Sequence, residues 1–285
     1  MPELAVNITS ALHGQSALAT SNILGSNIFN IFFILGVAGL ISVVPVHRPS
    51  AAHDLPLYVL AALAVGICGN EQFIDGLTFN AIVRTDGLLL LMFFTIYLYR
   101  TLCGPASPDI HAAHKARPRY HKKSPESEGP QMGLGKAFAL VIGGLVALVG
   151  GGECIVSGAI GIAKLFNIPQ NTIGIMIVGP GTSFPELIAT VVAVIKKQTD
   201  LGIGNIIGSN LFNVFFILGV TSLIIPLPVP LMLNVAVAVN LLAAVLLLAV
   251  GWVGKRAITR PWAIGFLVIY IAYMAAVVLY GHAGT

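Results

Sequence analysis

Two acidic residues and two copies of one polar motif recur at a single spacing inside apolar sequence. Glu3 and Glu186 each follow a proline, and they are 183 positions apart. The motif GSNIFNIFFILG at 25–36 returns as GSNLFNVFFILG at 208–219 with the same separation. Carboxylates, hydroxyls and amides are costly to bury in hydrocarbon, so their presence there indicates a functional polar site. The duplication predicts one site assembled from two halves of the chain.

The second copy concentrates oxygen donors beside a helix interruption. Glycines and prolines at 179–185 break an otherwise apolar segment, and a proline leaves carbonyl groups of the preceding turn without a helical partner. Thr182 and Ser183 lie four and three positions before Glu186, so the three side chains share one helix face. Such a break is tolerated at membrane depth only where it is buried in protein or lines a wet cavity.

Oxygen ligands of this kind suit hard cations. Ser209 and Asn213, four positions apart on the next apolar span, add a hydroxyl and an amide on one face. Ca²⁺ and Na⁺ prefer such oxygens, whereas softer metals prefer thiolate or imidazole. Two carboxylates, Glu3 and Glu186, would neutralise one Ca²⁺, and Asn30 and Asn213 would add neutral amide oxygens. If Na⁺ competes for the same oxygens, the two loaded states exclude each other, as an antiporter requires.

The composition places these motifs in a membrane. Of 285 residues, 56% are hydrophobic and 9% charged, far below the roughly 25% charged residues of soluble domains. The sequence predicts an all-α polytopic membrane protein whose partner is the lipid bilayer, and it contains no nucleic-acid-binding motif. An apolar run of about 20 residues crosses a bilayer. The predicted spans are 1–13 (short), 17–45, 55–71, 85–103, 134–163, 169–195, 201–226, 229–252 and 261–281.

A hydrophilic loop divides the chain into two predicted repeats. Residues 1–103 form the first repeat, 104–133 form a basic loop, and 134–285 form the second repeat. With the loop in the cytoplasm, thirteen Lys and Arg residues lie on that side and two, Arg84 and Lys164, on the other. The thirteen are Arg48, Arg100, Lys115, Arg117, Arg119, Lys122, Lys123, Lys136, Lys196, Lys197, Lys255, Arg256 and Arg260.

This charge bias agrees with the positive-inside rule and supports an integral protein of the cell (inner) membrane with the loop in the cytoplasm. Alternating sides through the spans makes the two repeats inverted. Inverted repeats with a site at the midplane between them are the secondary-transporter pattern.

The first repeat is shorter than the second at its beginning. With the 183-residue offset, Met1 aligns with Phe184, so nothing corresponds to 179–183 or to the span before it. A charged amine near mid-membrane is unfavourable. The sequence therefore predicts an N-terminally truncated version of a longer protein, or a misassigned start, with about eight full spans and a partial one.

The paired motifs resemble those of a known family. GTSFPE at 181–186 is followed by GNIIGSNLFN at 204–213, and the first copy keeps PE at 2–3 and SNILGSNIFN at 21–30. This pattern, present twice in inverted orientation, resembles the sodium/calcium exchangers of the cation/calcium antiporter superfamily. The resemblance covers nearly the whole chain and implies an inverted-repeat bundle, which in the family has ten spanning helices in two sets of five.

The resemblance also implies roles for individual residues. The two glutamates would be the principal Ca²⁺ ligands and also serve Na⁺, the two asparagines would be midplane ligands, and serines and a threonine would complete the Na⁺ positions. The implied ligands are Glu3, Ser26, Asn30, Thr182, Ser183, Glu186, Ser209 and Asn213. The expected activity is secondary active exchange of Na⁺ for Ca²⁺ by alternating access, with the ions as cargo, no cofactor and no catalytic residue.

Three other interpretations stay open. A cation/H⁺ exchanger, such as a Ca²⁺/H⁺ exchanger, would carry the proton on Glu3 or Glu186. In several family members the position of Asn213 is Asp, and an amide there cannot titrate, which leaves K⁺ and H⁺ involvement open. A truncated, non-transporting membrane fragment is favoured by the missing first span. An intramembrane hydrolase is disfavoured because the sequence shows no nucleophile–base pair.

Overall fold

The computed structural model describes residues 2–47, 50–74, 76, 80–103, 133–165, 170–252 and 256–281. The predicted loop 104–133 lies outside the described residues except for Gly133. The helices are α1 (Pro2–Leu12), α2 (Ser16–Ile28), α3 (Leu35–Ile41), α4 (Leu55–Cys68), α5 (Glu71–Ile74), α6 (Arg84–Cys103), α7 (Leu134–Leu165), α8 (Gln170–Ile173), α9 (Gly179–Thr182), α10 (Phe184–Ile195), α11 (Thr199–Phe212), α12 (Gly219–Ile224), α13 (Leu231–Trp252) and α14 (Arg260–Gly281). The π-helical segments are Phe29–Ile34, Ser50–Asp54, Gly174–Val178 and Asn213–Leu218, and the strands are β1 (Val44–Pro45), β2 (Ala81–Ile82), β3 (Leu227–Pro228) and β4 (Ala257–Ile258).

Six helices within the described residues are long and apolar enough to cross a membrane. They are Ser16–Ile41, Ala51–Cys68, Arg84–Cys103, Leu201–Ile224, Leu233–Trp252 and Arg260–Leu279. A seventh is obtained if Asn171–Thr182 and Phe184–Ile195, which meet at a 43° bend, form one span. In addition, α7 runs for 32 residues over the predicted span 134–163. The all-α membrane class is confirmed, whereas the number of about eight full spans and a partial one remains a prediction.

The 43° bend lies where the sequence predicts a helix interruption. Pro185 occupies the first turn of α10, where its missing N–H would have no helical partner in any case. Ser183 leaves helical geometry, with φ −91° and ψ 6°. A π-helical segment, Gly174–Val178, comes just before this break, and such segments occur frequently at functional sites.

Equivalent elements of the two halves correspond closely. The helix Ser16–Ile41, with a π-helical segment in its middle, matches Thr199–Ile224, which has the same construction. Strand β1 pairs antiparallel with β4, and β2 pairs antiparallel with β3, so each two-stranded ribbon joins both halves. Helix α14 packs against α3, as α6 packs against α12. The two motif-bearing helices contact each other in the middle of this arrangement.

The motif-bearing helices form the centre of the bundle. In the most apolar stretch of Ser16–Ile41, 83% of the residues are buried, and in that of Leu201–Ile224 the share is 67%. The corresponding shares are 11% for Arg84–Cys103 and 22% for Arg260–Leu279, which present apolar side chains outward. A helix that is hydrophobic all round and exposed on its outer face suits a lipid environment. The polar motif residues therefore occupy the part of the bundle best shielded from lipid.

Phenylalanines of the repeated motif attach the outer helices to this centre. Phe29 stacks on Phe33 with ring centroids 4.7 Å apart, and Tyr270 of α14 contacts both rings. The second copy repeats the arrangement with Phe212, Phe216 and Phe94 of α6. Aromatic pairs of this kind stabilise packing beyond the area they bury. The phenylalanines of each motif thus stabilise the packing of the helices, whereas its serine and asparagines need a different explanation.

Candidate cation-binding site

The structure brings the two glutamates of the two halves together. Glu3, in the first turn of α1, is 2% exposed, and the Ser183 hydroxyl donates to its Oε1 at 3.2 Å. Ser183 lies immediately before α10, which carries Glu186 in its first turn. Glu186 interacts electrostatically with Glu3, and its buried Oε2 accepts no hydrogen bond from any described residue. Two neighbouring carboxylates, one with an unused oxygen, favour a bound cation.

Hydroxyl and carbonyl oxygens line the neighbouring part of the site. The Ser26 hydroxyl donates to the Gly179 carbonyl at 3.1 Å and lies 3.3 Å from Thr182 Oγ1. The Thr182 hydroxyl also lies 3.1 Å from the Gly179 carbonyl and 3.3 Å from Asn22 Oδ1. Ser26, Thr182 and Ser183 are all at most 1% exposed. Neutral oxygens at this density match the ligands that hard cations take in proteins.

Glycines make this close approach of the two helices possible. A Cβ on Gly179 would lie 2.7 Å from the Ser26 backbone nitrogen, and one on Gly25 would lie 2.9 Å from Ile175 Cα. Neither position can carry a side chain without backbone movement. The glycine that opens the repeated motif is therefore needed in the first copy for the contact between α2 and the segment before Ser183.

Four asparagines of the repeated motif form a reciprocal cluster. Asn27 Nδ2 donates to the Asn210 backbone carbonyl at 3.4 Å, and Asn210 Nδ2 donates to the Asn27 carbonyl at 3.2 Å. Asn30 Nδ2 donates to Asn210 Oδ1 at 2.8 Å, and Asn213 Nδ2 donates to Asn27 Oδ1 at 3.0 Å. Equivalent residues of the two halves thus make equivalent bonds, so a local two-fold axis passes between α2 and α11.

The cluster orients Asn30 in a way that suits a cation. Its Nδ2 is used by Asn210, while its Oδ1 is buried and accepts no hydrogen bond from a described residue. A buried amide oxygen without a partner is costly, and a cation would satisfy it. Asn30 and Asn213 lie at the beginning of the π-helical segments Phe29–Ile34 and Asn213–Leu218, a local distortion often found at functional sites.

Ser209 is the one predicted ligand for which the structure shows no side-chain interaction with the other site residues among those described. It is half-buried, whereas its counterpart Ser26 is fully buried between two helices. No described residue hydrogen-bonds the Ser209 side chain, and its neighbour Asn205 is exposed although the equivalent Asn22 is buried. The other seven predicted ligands are engaged in the contacts above or, for Glu186, lie beside them. The role of all eight in binding ions remains a prediction.

Several residues of the site were not predicted. Asn27 and Asn210 hold the cluster together, and their recurrence in both copies of the motif was a signal that could have revealed them. Asn22 bridges two other polar side chains: its Oδ1 accepts from the Thr182 hydroxyl, and its Nδ2 donates to Asn7 Oδ1 at 3.2 Å. Tyr58 also contacts Asn210, but nothing in the repeat predicted it.

The chemistry available here is that of oxygen ligands around two acids. Within the described residues, no group of three or more His, Cys, Asp or Glu side chains could hold a metal ion. The site offers instead two carboxylates, hydroxyls, amide oxygens and the Gly179 carbonyl. Oxygen ligands of this kind suit hard cations.

Comparison with known proteins adds sequence relatives. The chain matches the family described as "Sodium/calcium exchanger protein" over residues 1–102 and 136–279. It is 32% identical over 227 residues to the putative antiporter CaxA of Alkalimonas amylolytica, covering 79% of this chain and 66% of that relative. It is 27% identical to the sodium/calcium exchanger MaX1 of Methanosarcina acetivorans, covering 96% of this chain and 84% of that protein. The chain thus spans just under two thirds of the length of CaxA, which is the more similar in sequence of these two relatives.

Solved structures have the same fold. A structure of the sodium-calcium exchanger NCX_Mj, soaked with 10 mM Na⁺ and no Ca²⁺, superposes with a TM-score of 0.71 at 28% sequence identity. The match covers 96% of this chain and 82% of that chain. The same exchanger soaked with 100 mM Na⁺ and 10 mM Sr²⁺ gives a TM-score of 0.72.

Proposed function

Because this chain belongs to the sodium/calcium exchanger protein family, we propose that it forms the ion-binding bundle of a secondary antiporter that exchanges Na⁺ for Ca²⁺. The observation that carries the proposal is that Glu3, from the first half, accepts a hydrogen bond from Ser183 and lies close enough to Glu186, from the second half, to interact with it electrostatically. Intramembrane acids are costly and are retained where ions pass. Exchangers are transporters, so the hydrolase interpretation no longer applies.

Ca²⁺ would bind between the two glutamates. Their two negative charges balance one divalent ion, and the unused Oε2 of Glu186 and Oδ1 of Asn30 are buried acceptors ready for it. Asn213 would contribute the equivalent amide from the second half. Ca²⁺ takes six to eight oxygens in flexible geometry, which hydroxyls, carbonyls and water can complete.

Na⁺ would use the same acids together with the surrounding hydroxyls. Ser26, Thr182 and Ser183 already converge on the Gly179 carbonyl and Glu3, and Ser209 would be their counterpart in the second half. Since both ions need the glutamates, occupancy by one excludes the other. Alternating access of a site with this property to the two sides of the membrane couples the two fluxes.

The membrane orientation is part of the proposal. The bias of thirteen Lys and Arg residues against two favours a cytoplasmic position for 104–133. The bacterial putative antiporter among the relatives supports the inner membrane as the location.

Flux measurements on the reconstituted chain test the function. Proteoliposomes loaded with Na⁺ should accumulate ⁴⁵Ca²⁺ when the outside is free of Na⁺, and the accumulation should be abolished by Glu186→Gln because one of the two balancing charges is lost. Glu71→Gln, which removes a carboxylate from the short helix Glu71–Ile74 outside the site, is the matched control and should retain flux.

The ion gradient that drives uptake separates the possible couplings. Ca²⁺ movement that follows a pH gradient and ignores Na⁺ would replace the Na⁺ proposal with Ca²⁺/H⁺ exchange. Absence of both flux and Ca²⁺ binding in the unsubstituted chain would support the non-transporting fragment instead.

A further inference from the structure

Within the part of the chain that the structure describes, a chain of hydrogen bonds, here called the polar branch, extends from Asn210 of the asparagine cluster and has no equivalent at Asn27. Asn210 Nδ2 donates to the Tyr58 hydroxyl at 3.0 Å, and that hydroxyl donates to Asn240 Oδ1 at 2.8 Å. Tyr58 on α4 is 0% exposed and Asn240 on α13 is 1% exposed, and these two helices pack against each other. The branch therefore connects the α4–α13 pair to Asn210, which holds Asn30.

The duplication does not account for this branch. Among the described hydrogen bonds of Asn27, none is equivalent to the one that joins Asn210 to Tyr58. The rest of the cluster obeys the two-fold relation, so the branch is a departure from it. Burying a hydroxyl and an amide costs free energy unless they are hydrogen-bonded.

The directions of the hydrogen bonds along the branch determine how Asn30 is oriented. A tyrosine hydroxyl has one hydrogen, and an amide has its oxygen on one side and its NH₂ on the other. Because Asn240 Oδ1 accepts the Tyr58 hydrogen, Tyr58 accepts from Asn210. The same Asn210 NH₂ group also donates to the Asn27 backbone carbonyl. Together these two acceptors turn the Asn210 oxygen towards Asn30. Asn30 donates its Nδ2 to that oxygen at 2.8 Å. Its own Oδ1 is left buried without a described partner.

We propose that Tyr58 and Asn240 are positioning residues that hold the Asn30 amide with its oxygen towards the cation. This inference rests on the proposed function, since it assumes that a cation binds at Asn30. A reversed amide would present an NH₂ group, whose hydrogens repel a cation. Asn213 donates to Asn27 and not to Asn210, so the effect of the branch is confined to the first-half amide.

Removal of the terminal acceptor tests the direction of the branch. In Asn240→Leu the Tyr58 hydroxyl loses its acceptor and can turn its hydrogen towards Asn210. The Asn27 carbonyl then holds the Asn210 amide alone, so reversed Asn210 and Asn30 amides become more populated. We expect the Kd for Ca²⁺, measured by calorimetry on the purified full chain in detergent, to rise about tenfold, the equivalent of roughly one lost buried hydrogen bond. Tyr273→Phe is the control, because the Tyr273 hydroxyl is buried without a described partner and should leave the Kd unchanged.

A second background distinguishes positioning from general damage to the fold. In Asn30→Asp both terminal atoms are oxygens, so the direction of the branch no longer decides what faces the ion. Adding Asn240→Leu to Asn30→Asp should then change the Kd less than about twofold, a deviation from additivity expected only for coupled sites. A purely structural role of Asn240 would give the same loss in both backgrounds.

Each result of these Kd measurements has one interpretation. An unchanged Kd in Asn240→Leu, or an equal loss in both backgrounds, overturns the positioning role and leaves the proposed function intact. Failure of the unsubstituted chain to bind Ca²⁺ overturns both. If Asn240→Leu does not fold, Tyr58→Phe takes its place with an expected rise of about threefold, because Asn210 keeps its bond to the Asn27 carbonyl; no rise there also overturns the role.

Discussion

The same motif lies in two different surroundings in this molecule. Ser26 is fully buried against Gly179 and Thr182, whereas its equivalent, Ser209, is half-buried and has no hydrogen-bonding partner among the described residues. The difference extends to the preceding turn, where Asn22 is buried and Asn205 is exposed.

The difference shows that the motif by itself does not surround its serine with polar partners. Near Ser26, the kinked segment just before Glu186 supplies the Gly179 carbonyl and the Thr182 hydroxyl, because Gly25 and Gly179 let the backbones touch. Near Ser209 no described segment supplies such groups, because at the repeat offset of 183 the counterpart of 179–183 would lie before Met1. Ser26 is shielded because a second, interrupted helix crosses it, and such breaks supply free carbonyls.

The largest expected contrast is between the two equivalent glycines. In Gly25→Ala the new Cβ would meet the Ile175 backbone at 2.9 Å, whereas in Gly208→Ala it would meet only the Tyr97 hydroxyl at 3.6 Å. We expect Gly25→Ala to destabilise the protein by about 1–3 kcal/mol through overpacking, and Gly208→Ala to be neutral or slightly stabilising. Thermal unfolding in detergent measures both effects. Equal effects would contradict the difference in packing between the surroundings of Gly25 and those of Gly208.

A smaller contrast is expected between the two central asparagines. The Asn210 side chain makes three hydrogen bonds, to Asn27, Asn30 and Tyr58, whereas the Asn27 side chain makes two. Asn210→Ala should therefore be more destabilising than Asn27→Ala by about 1 kcal/mol, one hydrogen bond. Chemical unfolding of both variants, each compared with the unsubstituted chain, checks the difference, and a reversed order would show that the branch through Tyr58 adds nothing.

The smallest expected contrast is between the two motif serines. Ser26→Ala removes a bond to the Gly179 carbonyl and should lower the ion-free stability by about 1 kcal/mol. Ser209→Ala should leave the ion-free stability within about 0.5 kcal/mol of the original, yet weaken Na⁺ binding if Ser209 is a ligand. Unfolding with and without Na⁺ separates the two effects; a Ser209→Ala variant that behaves like the original in both would remove Ser209 from the site.

Much of the fold could be predicted from local sequence. The apolar runs predicted the membrane class, the prolines around Ser183 predicted the break, and the doubled motif gave the family resemblance, which the match over 1–102 and 136–279 confirms. These features are local because each depends on the hydropathy or backbone chemistry of a few consecutive residues. The pair of glutamates at the repeat spacing, Glu3 and Glu186, also indicated a shared site, which the hydrogen bond from Ser183 to Glu3 now supports.

The sequence by itself determined which side chains carry oxygen and that they recur in two halves. Only the tertiary structure decided which of them meet: it shields Ser26 and leaves Ser209 half-exposed, and it links Tyr58 and Asn240 to Asn210 across helices distant in the chain. The physical reason is that hydrogen bonds act over about 3 Å, so their partners depend on how helices cross and not on the order of residues along the chain.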